Sequence, residues 1–174
     1  MNGQQKFLVY GSIGTLALLV GGFIWKEERK DGTQPTEIFY TRHGAINNPG
    51  NIVQSATKYV GEIPSPSLDM KSFIDMAHGY RAMIQILRSY YNQNLTNLYL
   101  EIFHYANSST TKEKQNYVDY VEGFTGINQY ADLYTFLYTD KVKDIVTAMS
   151  LWEQDPNLFA VNESWVNNGY SLLA

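Results

Sequence analysis

Cysteine is absent from this chain of 174 residues, which removes a disulfide frame, a thiolate metal site and a thiol nucleophile together. Histidine is scarce. His43, His78 and His104 show no ligand spacing such as i, i+4, so they read as separate structural residues, and neither a metal nor another cofactor is expected. Positive charge is short as well, with 13 Lys and Arg against 17 Asp and Glu. Contact with a phosphate backbone depends on clustered cations, so nucleic acid is excluded as a partner. No phosphate loop, dinucleotide fingerprint or Ser-His-Asp order occurs, and there is no internal repeat.

What the chain does have begins with an apolar run. Residues 7–25, FLVYGSIGTLALLVGGFIW, carry no charge, and a helix of that length spans a bilayer core at about 1.5 Å per residue. No small-x-small cleavage site comes after it before Lys26, so residues 1–25 are expected to be an uncleaved transmembrane anchor. Trp25 with Lys26, Arg29 and Lys30 gives the span an interfacial edge, and the basic residues favour a cytoplasmic side for the rest of the chain. Residues 26–40, KEERKDGTQPTEIFY, read as a linker, and residues 41–174 as one folded domain.

That domain reads as α+β and mostly α. Between Ile52 and Ile63, β-branched and aromatic residues predict a small hairpin with Tyr59, Val60 and Glu62 on its second strand. From Phe73 to Tyr91 the apolar residues step by three and four, predicting a long helix that ends near Asn92. A shorter helix is expected from Thr96, carrying Tyr99, Ile102 and Phe103. Thr110 and Glu113 form a capping box for a helix that stops before Gly126. Asp140 is expected to cap a helix whose Val142, Ile145, Val146, Met149 and Trp152 share a face, and Asn162 to open the last one.

Glu153 ends the helix expected after Asp140, inside its apolar stripe. Burial among apolar groups and the negative helix end both disfavour an ionised carboxylate, so Glu153 is a candidate proton donor of the kind glycosidic cleavage requires. The plainer alternative is that it closes a helix and reaches water. Glu163, beside the capping Asn162, sits where the helix dipole keeps it ionised. Glu62, alone a surface strand residue, could serve as the second carboxylate that orients water or steadies positive charge on a sugar ring. Asp69, Asp75 and Glu101 read as caps or solvated faces. The fourteen tyrosines could meet sugar faces, although most fall on core stripes.

The stretch INNPGNI, residues 46–52, holds three asparagines around Pro49-Gly50, a pair that suits the centre of a type II turn. Together with Arg42 upstream, Tyr59-Val60-Gly61, Phe73, Gly79-Tyr80-Arg81-Ala82-Met83, Leu87 to Tyr90 and Trp152-Glu153-Gln154, it resembles a family of phage-encoded, lysozyme-like cell-wall proteins. The likeness covers residues 40–174 and departs from the family pattern at Tyr105-Ala106-Asn107-Ser108-Ser109, where a W-A-P-P stretch is usual.

That resemblance implies a lysozyme-like fold in permuted order, the glutamate-bearing helix coming after the hairpin and facing it across a glycan groove. It implies a membrane-anchored, virion-associated peptidoglycan-degrading enzyme, a muramidase or lytic transglycosylase acting during host penetration or lysis. Its partners would be peptidoglycan strands, lipid through residues 7–25, and capsid or other virion membrane proteins. Its place would be a virion internal membrane or the host inner membrane, crossed once. Glu153 and Glu62 would be catalytic, with Asn47, Asn48, Asn51 and Tyr59 as sugar contacts, although asparagines in turns more often bond to nearby backbone. The rival expectation is a non-enzymatic virion structural or membrane protein that keeps the same scaffold.

Overall fold

A computed structural model describes residues 24–27, 36–41, 43–106, 109–154 and 159–174. Two short strands come first, β1 (Ile24–Glu27) and β2 (Thr36–Phe39), paired antiparallel with Ile24 opposite Phe39. This pairing corrects the expected anchor. Ile24 and Trp25, placed at the end of the 7–25 span, are strand residues, and β-branched and aromatic side chains are well suited to that conformation. Residues 7–23 lie outside the described residues, and no described helix is long and apolar enough to cross a membrane. The single-pass localisation, the lipid partner and the transmembrane helix of the fold expectation are therefore withdrawn. Strands also stand at both ends of the expected linker 26–40, whose residues 28–35 are not described.

The second pair is β3 (Glu62–Ile63) with β4 (Ser72–Phe73), Glu62 opposite Phe73. A small hairpin is present, but its partner strand differs from the expected one: β3 pairs forward with β4, while Val53 bridges to Met70. Tyr59 and Val60 precede the strand.

Six helices come next among the described residues: α1 (Met76–Tyr91), α2 (Leu98–Tyr105), α3 (Thr111–Thr125), α4 (Tyr134–Leu137), α5 (Val142–Glu153) and α6 (Glu163–Ser171). Helix α1 starts three residues later than the apolar period implies. Phe73 belongs to β4, and the Asp75 side chain caps the helix by accepting from the His78 N–H. The capping box of α3 forms as expected, and Gly126 ends the helix in the left-handed region at φ 70°. Asn162 caps α6 through Ser164 N–H. Asp140 does not cap α5, because Lys141 is the N-cap residue and no side-chain cap bond is made.

The core joins these helices through Tyr80, Met83, Ile84 and Leu87 of α1, Ile102 of α2, Tyr117 and Val121 of α3, and Ile145, Val146 and Met149 of α5, all buried. Each aliphatic side chain so buried contributes about 1.5–3 kcal/mol against exposure. Glycine makes one further contact possible. At Gly79 of α1, an added Cβ would strike the Asn47 carbonyl and the Pro49 ring, so the asparagine-rich turn rests on the helix.

Candidate functional site

The turn at residues 47–51 and the end of α5 meet across 102 positions of sequence. Asn51 Nδ2 donates to the Glu153 carbonyl at 2.7 Å and to Glu153 Oε2 at 3.2 Å. Its Oδ1 accepts from Gln154 Nε2 at 3.1 Å, and the same Gln154 amide reaches the carbonyls of Asn48 (3.2 Å) and Pro49 (3.0 Å). Gln154 is buried. Its amide thus ties the turn to the last residue of the helix and fixes which way round the Asn51 amide points.

The three asparagines divide into two uses. Asn47 Oδ1 accepts from Phe39 N–H at 2.9 Å and its Nδ2 donates to the Phe73 carbonyl at 3.1 Å. Asn48 Oδ1 accepts from Ile52 N–H at 2.8 Å, and its Nδ2 donates to the carbonyls of Ile52 and Lys71, both at 2.9 Å. Both residues are fully buried. They staple strands and loop together and present no amide to a ligand. Asn51 alone faces the cleft described below. Asn47 and Asn51 take positive φ, 51° and 48°, a region asparagine tolerates better than other non-glycine residues.

Gly50 differs from its expected role. Its φ is not positive, so the turn closed by Asn51 N–H to the Asn48 carbonyl at 3.3 Å is not type II. Glycine is required there for room: the Tyr105 hydroxyl donates to the Gly50 carbonyl at 2.5 Å, and an added Cβ would strike that hydroxyl and Met83.

A cleft of about 510 Å³ runs beside this junction. One wall carries Gln85, Ser89 and Gln93, four residues apart on α1 and just beyond it, and therefore on one face. The other is the loop from Asn51 to Tyr59, and Tyr90 and Tyr105 complete the lining. Glu153 adjoins the end of the cleft through Asn51 and Tyr105 without lining it. It is half-buried. Burial, and after it the nearness of Glu153, holds the phenols of Tyr105 and Tyr117 well above their ordinary range, and the Tyr117 hydroxyl donates to the Met149 carbonyl at 3.4 Å.

Glu62 is placed otherwise. Its Oε1 accepts from Lys58 at 2.8 Å, and its Oε2 from buried Lys71 at 3.1 Å and from Tyr59 N–H at 3.2 Å. Burial alone would raise its carboxyl, but the bonds from Lys58, Tyr59 and Lys71 outweigh it and hold the group below the ordinary carboxylate range. Lys71 Nζ also donates to the carbonyls of Ser55 and Thr57, so Glu62 anchors the loop that forms one cleft wall. It lines a separate, smaller hollow with Gln54 and Pro64. Tyr59 stands between the two hollows, its phenol raised by burial and then by Glu62.

Sequence reasoning misplaces two residues. Glu101 is not a cap or a solvated side chain. It is 1% exposed, neither carboxyl oxygen has a partner, and burial pushes it up to about 9. The signal is present in the pattern, since Leu98, Glu101, Ile102 and Tyr105 fall on one helical face. Trp152, expected on the buried face of α5, is 36% exposed.

No family model matches the chain, and no curated protein matches it. Among the described residues no cluster of His, Asp and Glu could hold a metal. The membrane-anchored, virion-associated peptidoglycan-degrading enzyme implied by the resemblance is accordingly corrected. No described helix could serve as its anchor, no family match supports it, and the capsid and virion-membrane partners that rested on it are withdrawn.

Proposed function

We propose that the domain binds a glycan of N-acetylated amino sugars and cleaves it, with Glu153 as the group that protonates the glycosidic oxygen. The observation that carries this reading is the Glu153–Asn51 contact at the end of the cleft. A half-buried carboxyl at a helix terminus is oriented by an amide from a turn 102 residues away. Neutral amides and tyrosines along the cleft match the hydroxyls, acetamido groups and ring faces of such a polymer. Glycosidic cleavage needs a positioned acid at the leaving oxygen, worth about 10²–10⁴ in rate.

The described residues that line the cleft include no carboxylate, and Glu62 is held by two lysines. Attack on the anomeric carbon by a hydroxyl of the substrate itself fits such a site better than attack by a second carboxylate. The bond from the anomeric carbon to the leaving oxygen breaks as Glu153 delivers its proton. The substrate hydroxyl closes on that carbon, and its proton returns to the Glu153 carboxylate.

The test is product formation by the full chain on purified bacterial wall glycan and on chitin oligosaccharides, beside Glu153→Gln. The expected outcome is cleavage by wild type, a loss of about 10²-fold or more in the variant, and products whose mass lacks an added water. Equal activity in a folded Glu153→Gln protein places the acid elsewhere. Products carrying an added water replace internal attack with hydrolysis. No cleavage of either polymer by the folded wild type rejects the enzymatic reading.

A further inference from the structure

The loop that walls the cleft opposite α1 is weakly packed and is held from within by one buried cation. Residues 53–58 are exposed, and of residues 55–60 it is Tyr59 that packs against the core. Lys58 and Tyr59 line both the cleft and a second hollow of about 310 Å³. With open space at two faces and few apolar contacts, such a segment keeps its place by its bonds. Its ends are tied to neighbouring backbone. Gln54 N–H donates to the Asp69 carbonyl at 2.7 Å, and Gln54 Nε2 to the Met70 carbonyl at 2.9 Å. At the far end the Gly61 carbonyl accepts from Ile74 N–H at 2.9 Å, and Gly61 turns at φ 79° where an added Cβ would strike His78.

Between those ends, among the described residues, every hydrogen bond from residues 55–60 to the rest of the fold ends on Lys71 or Glu62. Lys71 Nζ donates to the Ser55 carbonyl at 3.3 Å and the Thr57 carbonyl at 2.8 Å, and stands 5.6 Å from the centre of the Tyr59 ring. Glu62 accepts from Lys58 at 2.8 Å and from Tyr59 N–H at 3.2 Å, and its own N–H donates to the Tyr59 carbonyl at 3.1 Å. Lys71 and Glu62 meet at 3.1 Å, and the Lys71 side chain is fully covered. A buried ion pair gains little stability over apolar side chains that fill the same space. What this pair fixes is position: the course of the wall, and the place of Tyr59 in it.

We propose that residues 55–60 form a movable strap along the cleft, and that Lys71 is the positioning residue that latches the strap, with Tyr59, in the conformation that takes a glycan. The occupant's identity rests on the proposed function. Lys71 touches no sugar. It acts through the carbonyls of Ser55 and Thr57 and through the Tyr59 ring, so it governs binding and leaves the proton transfer at Glu153 alone.

The experiment uses the full chain with Lys71→Met and a chitin hexasaccharide as the probe. Methionine is of similar length, Glu62 keeps Lys58 and the Tyr59 N–H, and the freed carbonyls of exposed Ser55 and Thr57 turn to water. Trypsin reads the strap at Lys58, whose side chain is 76% exposed. Cleavage after Lys58, located by fragment mass, is expected to run about tenfold faster or more in the variant at an unchanged denaturation midpoint. KM for the hexasaccharide, or its dissociation constant with Glu153→Gln added, should rise about fivefold or more while kcat stays within about twofold. Hydrogen exchange on the wild type needs no variant: the amides of residues 55–60 should slow when the hexasaccharide is bound, and this measurement decides alone if Lys71→Met does not fold. Cleavage after Lys58 at the wild-type rate overturns the latch. An unaltered KM, or strap amides that bound sugar does not slow, overturns its part in binding. A wild type that neither binds nor cleaves the hexasaccharide sinks the proposed function and the strap's occupant with it, whereas faster cleavage after Lys58 in the variant still keeps Lys71 as the latch.

Discussion

At the scale of single residues, Gln154 carries more than its type announces. A terminal amide just past a helix usually reaches water, but this one is buried and its NH₂ group reaches three acceptors on the turn. Asn51 is held by Gln154 on one side and offers its own NH₂ to Glu153 on the other. Gln154 is thus a positioning residue, acting on the carboxyl through Asn51. Replacing it by alanine strands the Asn51 oxygen and the Pro49 carbonyl, while the Asn48 carbonyl keeps the Asn51 N–H, each unmade bond costing about 1 kcal/mol or more where no water enters. Gln154→Ala is therefore expected to lower unfolding free energy by roughly 2 kcal/mol and, on the proposed function, to reduce kcat more than it raises KM, since the cleft lining is unchanged. Urea denaturation and steady-state kinetics on wall glycan check the two effects. A stability loss with unchanged kcat would confine Gln154 to the fold. None of this is legible in the sequence, where Gln154 is only part of a short likeness; its partners lie more than a hundred residues away. Asn47, Asn48 and Asn51 stand out by their crowding around Pro49-Gly50, but which of them faces the cleft is decided by long-range partners.

At the scale of elements, legibility depends on how local the determining interaction is. The start of α3 is readable because Thr110 and Glu113 satisfy one another within a single turn. The start of α5 is misread because Asp140 has a good capping type, yet the backbone of Lys141 is already helical and no side-chain cap bond forms. The β3–β4 pairing is misassigned because strand partners are chosen by register across a loop, and the β-branched pair Ile52-Val53 lies nearer in sequence than Ser72–Phe73. This contrast between the two helix starts can be measured. Thr110→Ala is expected to lower stability by about 1 kcal/mol, while Asp140→Ala, which removes no cap bond, should stay within about 0.5 kcal/mol. Thermal denaturation of both variants decides it. A larger loss from Asp140→Ala would mean that its side chain supports α5 in a way the hydrogen bonding does not reveal.

At the scale of the whole molecule, two carboxyls shifted in opposite directions shape stability against pH. Glu62 lies below the ordinary range because Lys58, Lys71 and the Tyr59 N–H bond its charged form. A group depressed in the folded state contributes stability above its unfolded pKa near 4.5, and that contribution is lost as pH falls through the folded value. Glu101 is the reverse case. Burial without a partner raises it to about 9, so the unfolded chain releases its proton first. Folding then loses stability steadily from about pH 4.5 up to about 9, at roughly 1.4 kcal/mol per pH unit while this group dominates. The two slopes meet in mildly acidic solution, and the domain should be most stable near pH 5, with a loss by pH 7 of about 3 kcal/mol at most. Glu101→Leu removes the buried acid and supplies an apolar side chain of similar size. In that variant the decline above pH 5 should flatten and stability at pH 8 should exceed wild type, while the fall below pH 4, to which Glu62 and the capping Glu113 both contribute, should persist. Urea titrations at pH 3.5, 5, 6.5 and 8 on both proteins test this. A wild-type curve that is flat from pH 5 to 8 would mean that Glu101 finds a partner or water on folding, and a Glu101→Leu variant no more stable than wild type at pH 8 would place the alkaline loss on another group.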